Sequence, residues 1–319
     1  MLVGLAPQLG RVPRLVPIDA KLDATMDEAV VADYLSRHAD RVLGVVPATM
    51  YGNFGAIERI AELAARHDVA SHHDNALGGA ARYDGGKAVT ASISGQGEGK
   101  ATPAGEAGLT LSSDPDVAWW IRADTDTGHG AGRLDPIPYA EHPPLAAGNQ
   151  RLGEHPAALM LVQWLRALHA RLQMRESRRL VQELLADPAL FPAPVLWNPP
   201  VDAEYPPFFA LYMSCTDALE AELGLSPEDL RVALWAEGVY AEPGFTPTHQ
   251  DPAWQHVTEG LDLSYAGSAR VFDRAVFIHA QWLRDARFPG WLRDILARVV
   301  AHKDALRGIS ATVSRPPHG

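Results

Sequence analysis

The sequence predicts an α/β fold: a large domain on a mostly parallel sheet, followed by a smaller C-terminal α+β domain. Three observations carry this. Strand-like and helix-like runs alternate through the first half of the 319 residues, the rhythm of strands joined by crossover helices. Val42 to Val46 is a near-continuous apolar run, as a strand covered on both faces requires. Pro188, Pro192, Pro194, Pro199 and Pro200 then break the pattern, so the domains are placed at residues 1–186 and 187–319.

In chain order, Val16-Pro17-Ile18-Asp19 reads as a short strand ending in an acidic residue, and a helix follows. After the Val42–Val46 strand, Asn53 is positioned to cap a helix in which Ile57, Ile60, Ala61 and Ala64 recur at helical spacing through Arg66. A strand then runs to Asp74. Lys100 to Ser113 reads as a loop followed by a strand at Leu109 to Leu111, and Asp114-Pro115-Asp116 opens a helix with proline in its first turn. Residues 123 to 148 are rich in Gly and Pro and read as an irregular excursion. The longest helical pattern spans Glu154 to about Leu185, with Leu161, Trp164, Leu165, Leu168 and Leu172 forming its apolar face. Beyond the prolines, Phe208 to Met213 is strand-like and Pro227 to Ala236 helical, with Ser226 as N-cap. Arg270 to Trp282 and Trp291 to Leu306 close the chain.

Composition narrows the function. Apolar residues make up 47% and charged ones 21%, ordinary for a globular protein. A net charge of −11 argues against a nucleic-acid partner, since phosphate neutralisation needs clustered Lys and Arg. The single Cys215 forms no internal disulfide and fits a reducing cytoplasm. The first twenty residues lack the sustained apolar core of a signal peptide, and no apolar run is long enough to span a membrane.

The chemistry centres on Lys100, in SGQGEGKATPAGEAG between two strand-like runs, with Gly105-Glu106 a short way on. A Schiff-base lysine needs unobstructed backbone beside it, and a glycine-rich turn supplies that. Lys87, in a Tyr-Asp-Gly-Gly turn, reads better as a hairpin tip. The glycines before Lys100 resemble a nucleotide-binding loop only superficially: Ser94 stands at the first glycine position and Ala101 replaces the magnesium-binding Ser or Thr. His72, His73 and Asp74 invite a metal reading. As strand residues, however, His72 and Asp74 face one way and His73 the other. Glu98 with Glu106 as an acid/base pair, and His129 as a functional histidine, yield to solvated loop residues.

Taken in order, these landmarks resemble the DegT/DnrJ/EryC1/StrS family of sugar and cyclitol aminotransferases that depend on pyridoxal 5'-phosphate. The landmarks are Asp19, Val42–Val46 closing on Pro47-Ala-Thr-Met-Tyr51-Gly52-Asn53, the strand to Asp74, Gly79-Ala80, Lys100, Gly105-Glu106, Asn149-Gln-Arg151, and the Gly244–Gln255 segment. The resemblance implies the fold-type-I large domain of the aspartate aminotransferase kind plus its C-terminal domain. It implies Lys100 as the catalytic, cofactor-bonding lysine and Asp74 as the partner of the pyridine nitrogen. Ser94 is implied at the cofactor phosphate, Asn149 as reaching the phosphate of a neighbouring subunit, and His249 as contacting the sugar or cyclitol ring. Counting forward from His67 puts Asp74 at the aspartate position, whereas counting back from Gly79-Ala80 puts His73 there; the forward count needs only a one-residue deletion. The sequence departs from the pattern in several places. His73 replaces an acidic residue, no clear ring-face residue exists among Asn75, Ala76 and Leu77, and Ser94 lies one residue further from the lysine than usual. The family's Gly-Thr turn, which holds the phosphate, is not among these residues, so either the pocket lacks this wall or another chain supplies it. The implied activity moves an amino group from glutamine or glutamate to a keto-sugar or keto-cyclitol in amino-sugar or antibiotic biosynthesis, by a homodimer or heterodimer. The alternative is a non-catalytic or complementing subunit that pairs with another aminotransferase chain.

Overall fold

The computed structural model describes residues 16–79, 88–97, 99–128, 148–192, 195–197, 209–254, 256 and 259–313. Expectations for the first fifteen residues, Ala80, Lys87, Glu98, His129 and most of the 123–148 excursion fall outside the described residues.

Asp27 opens α1 (Glu28–His38), its carboxylate accepting from the Ala29 amide, as an N-cap aspartate does. The first sheet then assembles around β1 (Gly44–Val45), α2 (Ile57–Arg66), β2 (Ala70–Asp74), β3 (Thr90–Ser94) and β4 (Gly108–Ser112). Its order is β1-β2-β3-β4. The first two pairings are parallel, with Val45 opposite Ser71 and Asp74 opposite Ser92, and β4 closes the edge antiparallel. Ile60 and Ala64 of α2 and Val31 and Leu35 of α1 pack with Val45 and Val69 in one core, the face expected from the helical spacing.

Several boundaries differ from the sequence reading. Residues 16–19 form no strand. Instead, the Asp19 carboxylate accepts from the Gly267 and Ser268 amides and the Ser268 hydroxyl, a tie across 248 and 249 positions of the chain. The Val42–Val46 strand is only Gly44–Val45, continued by one parallel bridge between Ala48 and Asp74. Asn53 does not cap α2: its amide group bonds the Asp23 carbonyl and its Oδ1 accepts from Gly55, so the capping groups are already used.

Asp114 caps α3 (Pro115–Thr125), with proline in the first turn as expected. The 32-residue α4 spans Glu154–Leu185. Its buried stripe is Met160, Ala167, Met174, Ser177, Arg178, Val181 and Leu185, not the predicted leucines. Leu161, Leu165 and Leu172 are 63%, 59% and 61% exposed.

The second sheet comprises β5 (Val195–Trp197), β6 (Ala210–Cys215), β7 (Ala241–Glu242) and β8 (Ala275–His279), with α5 (Pro227–Ala236) and α6 (Ala266–Arg274) between them. It is antiparallel in the order β5-β6-β8-β7. Both faces of β6 are buried. Leu211, Met213 and Cys215 join Met174 and Val181 of α4 and Ile295 and Val299 of α7 (Phe288–Ala301). Ala210 and Tyr212 face the opposite way, against Tyr51 and Phe277. Among the described residues, no helix is long and apolar enough to cross a membrane.

Candidate active site

Asp74 ends β2 at the carboxyl edge of the parallel strands, where open α/β sheets place their ligands. One carboxylate oxygen accepts from the Ala76 amide at 3.0 Å, fixing the turn that follows. Just past it, Asn75 is fully buried and donates to the Gly79 carbonyl at 3.2 Å. Gly79 lies against Ala101, so the turn after Asp74 and the lysine loop touch.

The histidines beside Asp74 divide between the two faces of the strand. His72 spans to β3, with Nδ1 2.7 Å from Thr90 Oγ1 and Nε2 3.1 Å from Ser92 Oγ. His73 points into the opposite layer, where Nε2 and Thr49 Oγ1 share a 2.5 Å hydrogen bond and Phe54 meets the ring edge-on. Burial pushes His73 down to about 4, outweighing Asp74, so its imidazole is neutral at physiological pH. His73 is thus committed to the core, while Asp74 is on the half-exposed face with His72.

The loop carrying Lys100 leaves β3 at Ser94, and two backbone bonds clamp its neck: Gly97 donates to the Gly105 carbonyl and Ala104 to Gly95, both at 2.7 Å. Gly99 has φ +92°, a conformation that favours glycine. A Cβ there would lie 2.6 Å from His279 Nε2 and 3.5 Å from the Phe209 ring. Lys100 itself is half-buried, with Nζ 5.1 Å above the centre of the Phe209 ring. Burial lowers its pKa while the Asp74 charge opposes that shift. A partly desolvated lysine is a better nucleophile at neutral pH because more of it is the free amine.

Lys100 and Asp74 are therefore brought within electrostatic reach of each other. Ser94 is nearby in chain, and its hydroxyl accepts from the Gln96 amide at 3.2 Å, leaving its own proton to donate. Asn149 stands apart on an exposed bridge opposite Asp126, its Oδ1 accepting from Arg151. His249 stacks on Tyr265 at 4.8 Å.

Sequence reasoning missed Phe209, His279 and Tyr51. Tyr51 has φ +53°, which costs a non-glycine residue on the order of 1–3 kcal/mol. It is held by a parallel stack on Tyr212 at 4.9 Å and by the Phe245 amide, which donates to its hydroxyl at 3.0 Å. Burial pushes that hydroxyl up to about 12. Phe245 belongs to the Gly244–Gln255 segment, and it stacks in turn toward Phe209 at 6.4 Å. The Tyr51-Gly52 pair within a quoted landmark was the available signal; Phe209 and His279 gave none.

A half-buried lysine near a carboxylate at the carboxyl edge of a parallel sheet suits an enzyme that handles amines through a bound aldehyde. Residues 3–283 match the DegT/DnrJ/EryC1/StrS aminotransferase family, and the chain belongs to it. It is a pyridoxal phosphate-dependent aminotransferase with the fold-type-I architecture. Among curated proteins, none matches this sequence. Solved structures share the fold at low identity. Helicobacter pylori PseC, an aminotransferase involved in the biosynthesis of pseudoaminic acid, has a TM-score of 0.72 and 16% identity, covering 92% of this chain and 75% of its own. DesI, solved with its TDP-sugar product, has a TM-score of 0.68 and 20% identity over 98% and 74% of the two chains. 3-Amino-5-hydroxybenzoic acid synthase has a TM-score of 0.67 and 19% identity over 90% and 74%.

The residues present suit the cofactor. Lys100 and Asp74 lie within electrostatic reach of each other, and two buried oxygens, Asn75 Oδ1 next to Asp74 and Thr102 Oγ1 two residues past Lys100, have no hydrogen-bond partner among the described residues. Such buried polar atoms are rare enough to mark a site for a polar group.

Proposed function

We propose that this chain transfers an amino group from glutamine or glutamate to a keto-sugar or keto-cyclitol, in a cytoplasmic, specialised biosynthetic route. The pairing of half-buried Lys100 with Asp74 carries this reading. The neighbours named above, one involved in pseudoaminic acid biosynthesis and one solved with a TDP-sugar product, support the acceptor class. Bound pyridoxal phosphate supplies an electron sink for the carbon losing its proton. Lys100 would hold the cofactor through its aldehyde, and its freed amine would serve as the general base that takes the proton from the substrate carbon. Asp74 holds the pyridine nitrogen in its protonated form, which a neutral imidazole at His73 would do poorly. Ser94 and Asn149 hold the phosphate, Asn149 from the neighbouring subunit, and His249 faces the acceptor ring.

We read the chain as two units, 1–186 and 187–319, with the prolines from Pro188 to Pro200 marking the boundary. The exposed leucines of α4 support association with a second subunit, since apolar patches of this kind mark contacts. Borohydride reduction of cofactor-treated protein, followed by peptide mapping, tests the assignment. The pyridoxyl group is expected on Lys100, and Lys100→Ala should lower transamination by roughly 10²–10⁴-fold. Asp74→Ala should weaken cofactor function far more than His73→Ala. Label on another lysine, or equal mild losses from Asp74→Ala and His73→Ala, would overturn the corresponding role. A protein that binds cofactor only after mixing with another aminotransferase chain would favour the complementing-subunit reading.

A further inference from the structure

The lysine loop does not end at its own sheet. Gly99 presses against His279 at the end of β8, and Lys100 Nζ lies 5.1 Å over the ring of Phe209, immediately before β6. That ring has little freedom. It stacks on Phe277 of β8 at 5.6 Å and 15°, meets Phe245 at 6.4 Å and 17°, and contacts His279 at 5.8 Å. Its backbone carbonyl accepts from the Ala280 amide at 2.9 Å.

We propose that Phe209 is a positioning residue for Lys100: its ring face is the resting platform of the protonated amine whenever that amine is not bonded to cofactor. The proposal rests on the reading of Lys100 as the cofactor-bonding lysine. A released amine that has taken up a proton must stay within reach without being drawn into solvent. An ammonium over an aromatic face is attracted by the ring quadrupole, more so where water is partly excluded. The ring therefore acts in the same direction as Asp74, favouring the charged form, while burial acts against it. The groups facing the amine are then Asp74 from β2 and Phe209 from the second sheet, with His279 beside the preceding glycine. His279 Nδ1 accepts from the Gln281 amide at 3.2 Å, which places the ring proton of a neutral imidazole on Nε2, the atom turned toward Gly99. The second sheet thus shares in holding the amine.

The test follows the amine rather than turnover. Full-length, cofactor-free protein is reductively methylated with formaldehyde across a pH series, and modification of Lys100 is read by peptide mass spectrometry. Phe209→Leu should shift the Lys100 titration downward by about half a pH unit. Phe209→Tyr, which keeps a ring, should titrate like the wild type. Phe277→Leu removes the same aromatic bulk one ring further away and should leave Lys100 unmoved, although it too lowers thermal stability. If Phe209→Leu fails to fold, Phe209→Met fills the space without a ring and carries the same expectation. An unshifted ring-less variant, or an equal shift from Phe277→Leu, would overturn the platform. Failure of the cofactor assignment is separately visible, as a pyridoxyl label on a different lysine.

Discussion

At Gly99 the loop carrying Lys100 meets His279 of the second sheet. Because a methyl group there would collide with His279 Nε2 and φ is +92°, Gly99→Ala should cost about 1–3 kcal/mol. It should also lift the lysine loop from the second sheet. The expected result is a lower melting temperature together with weakened cofactor binding, measured by titration of visible absorbance; unaltered binding would mean that the loop yields freely. Lys100 and Asp74 stood out in the sequence as candidates because their residue types, glycine surroundings and order along the chain are local facts. His73 competed for the aspartate position, and its depth in the core is not visible in the sequence. Phe209 and His279 lie more than a hundred residues downstream, and an apolar aromatic or a lone histidine carries no local mark of what it touches.

Among the elements, α4 shows most plainly what periodicity can and cannot tell. Its limits, Glu154 to Leu185, were read correctly, but its face was not. Leu161, Leu165, Leu168 and Leu172 recur at helical spacing and outweigh the smaller Ala167 and Ser177, which in fact lie on the buried face. A 32-residue helix carries two apolar stripes, and sequence does not say which one is covered within the chain. Helix starts at Asp114 and Ser226 were legible because capping chemistry is local. Asp229 in α5 goes beyond its capping box. Besides the Ser226 amide, its carboxylate accepts from the Gly308 and Ser310 amides and the Ser310 hydroxyl, pinning residues 308–310. Burial pushes its pKa up, but the Ser310 and Ser226 bonds together hold it down to about 2. A depressed carboxylate stabilises the fold above the unfolded-state value of about 4. That contribution is lost as pH falls from about 4 through about 2. Asp229→Asn should destabilise by about 1–3 kcal/mol at neutral pH and flatten acid unfolding in that window; an unchanged acid limb would exclude this role.

For the whole molecule, a mostly parallel first sheet and a separate α+β region follow from the alternation and the prolines, whereas the strand orders, the short length of β1 and the path of residues 16–26 do not. The Asp19 contact with Gly267 and Ser268 joins positions 248 and 249 residues apart, and nothing in either segment announces the other. Association through α4 predicts that wild-type protein sediments as a dimer. Replacing Leu165 and Leu168 together with Glu should give monomers with unchanged circular dichroism. A double variant that remains dimeric would move the interface elsewhere.

Cys215 lies on β6, 3% exposed, with burial pushing its thiol up to about 12. As the only sulfhydryl in the sequence, it is chemically silent while the central strand stays closed, because the thiolate is the reacting species. Disulfide-exchange reagents should therefore modify it only through transient opening of that strand. Trapping kinetics would then clock the breathing of the C-terminal core without any introduced probe. If Lys100 and its cofactor lean on the second sheet, adding pyridoxal phosphate should slow that clock.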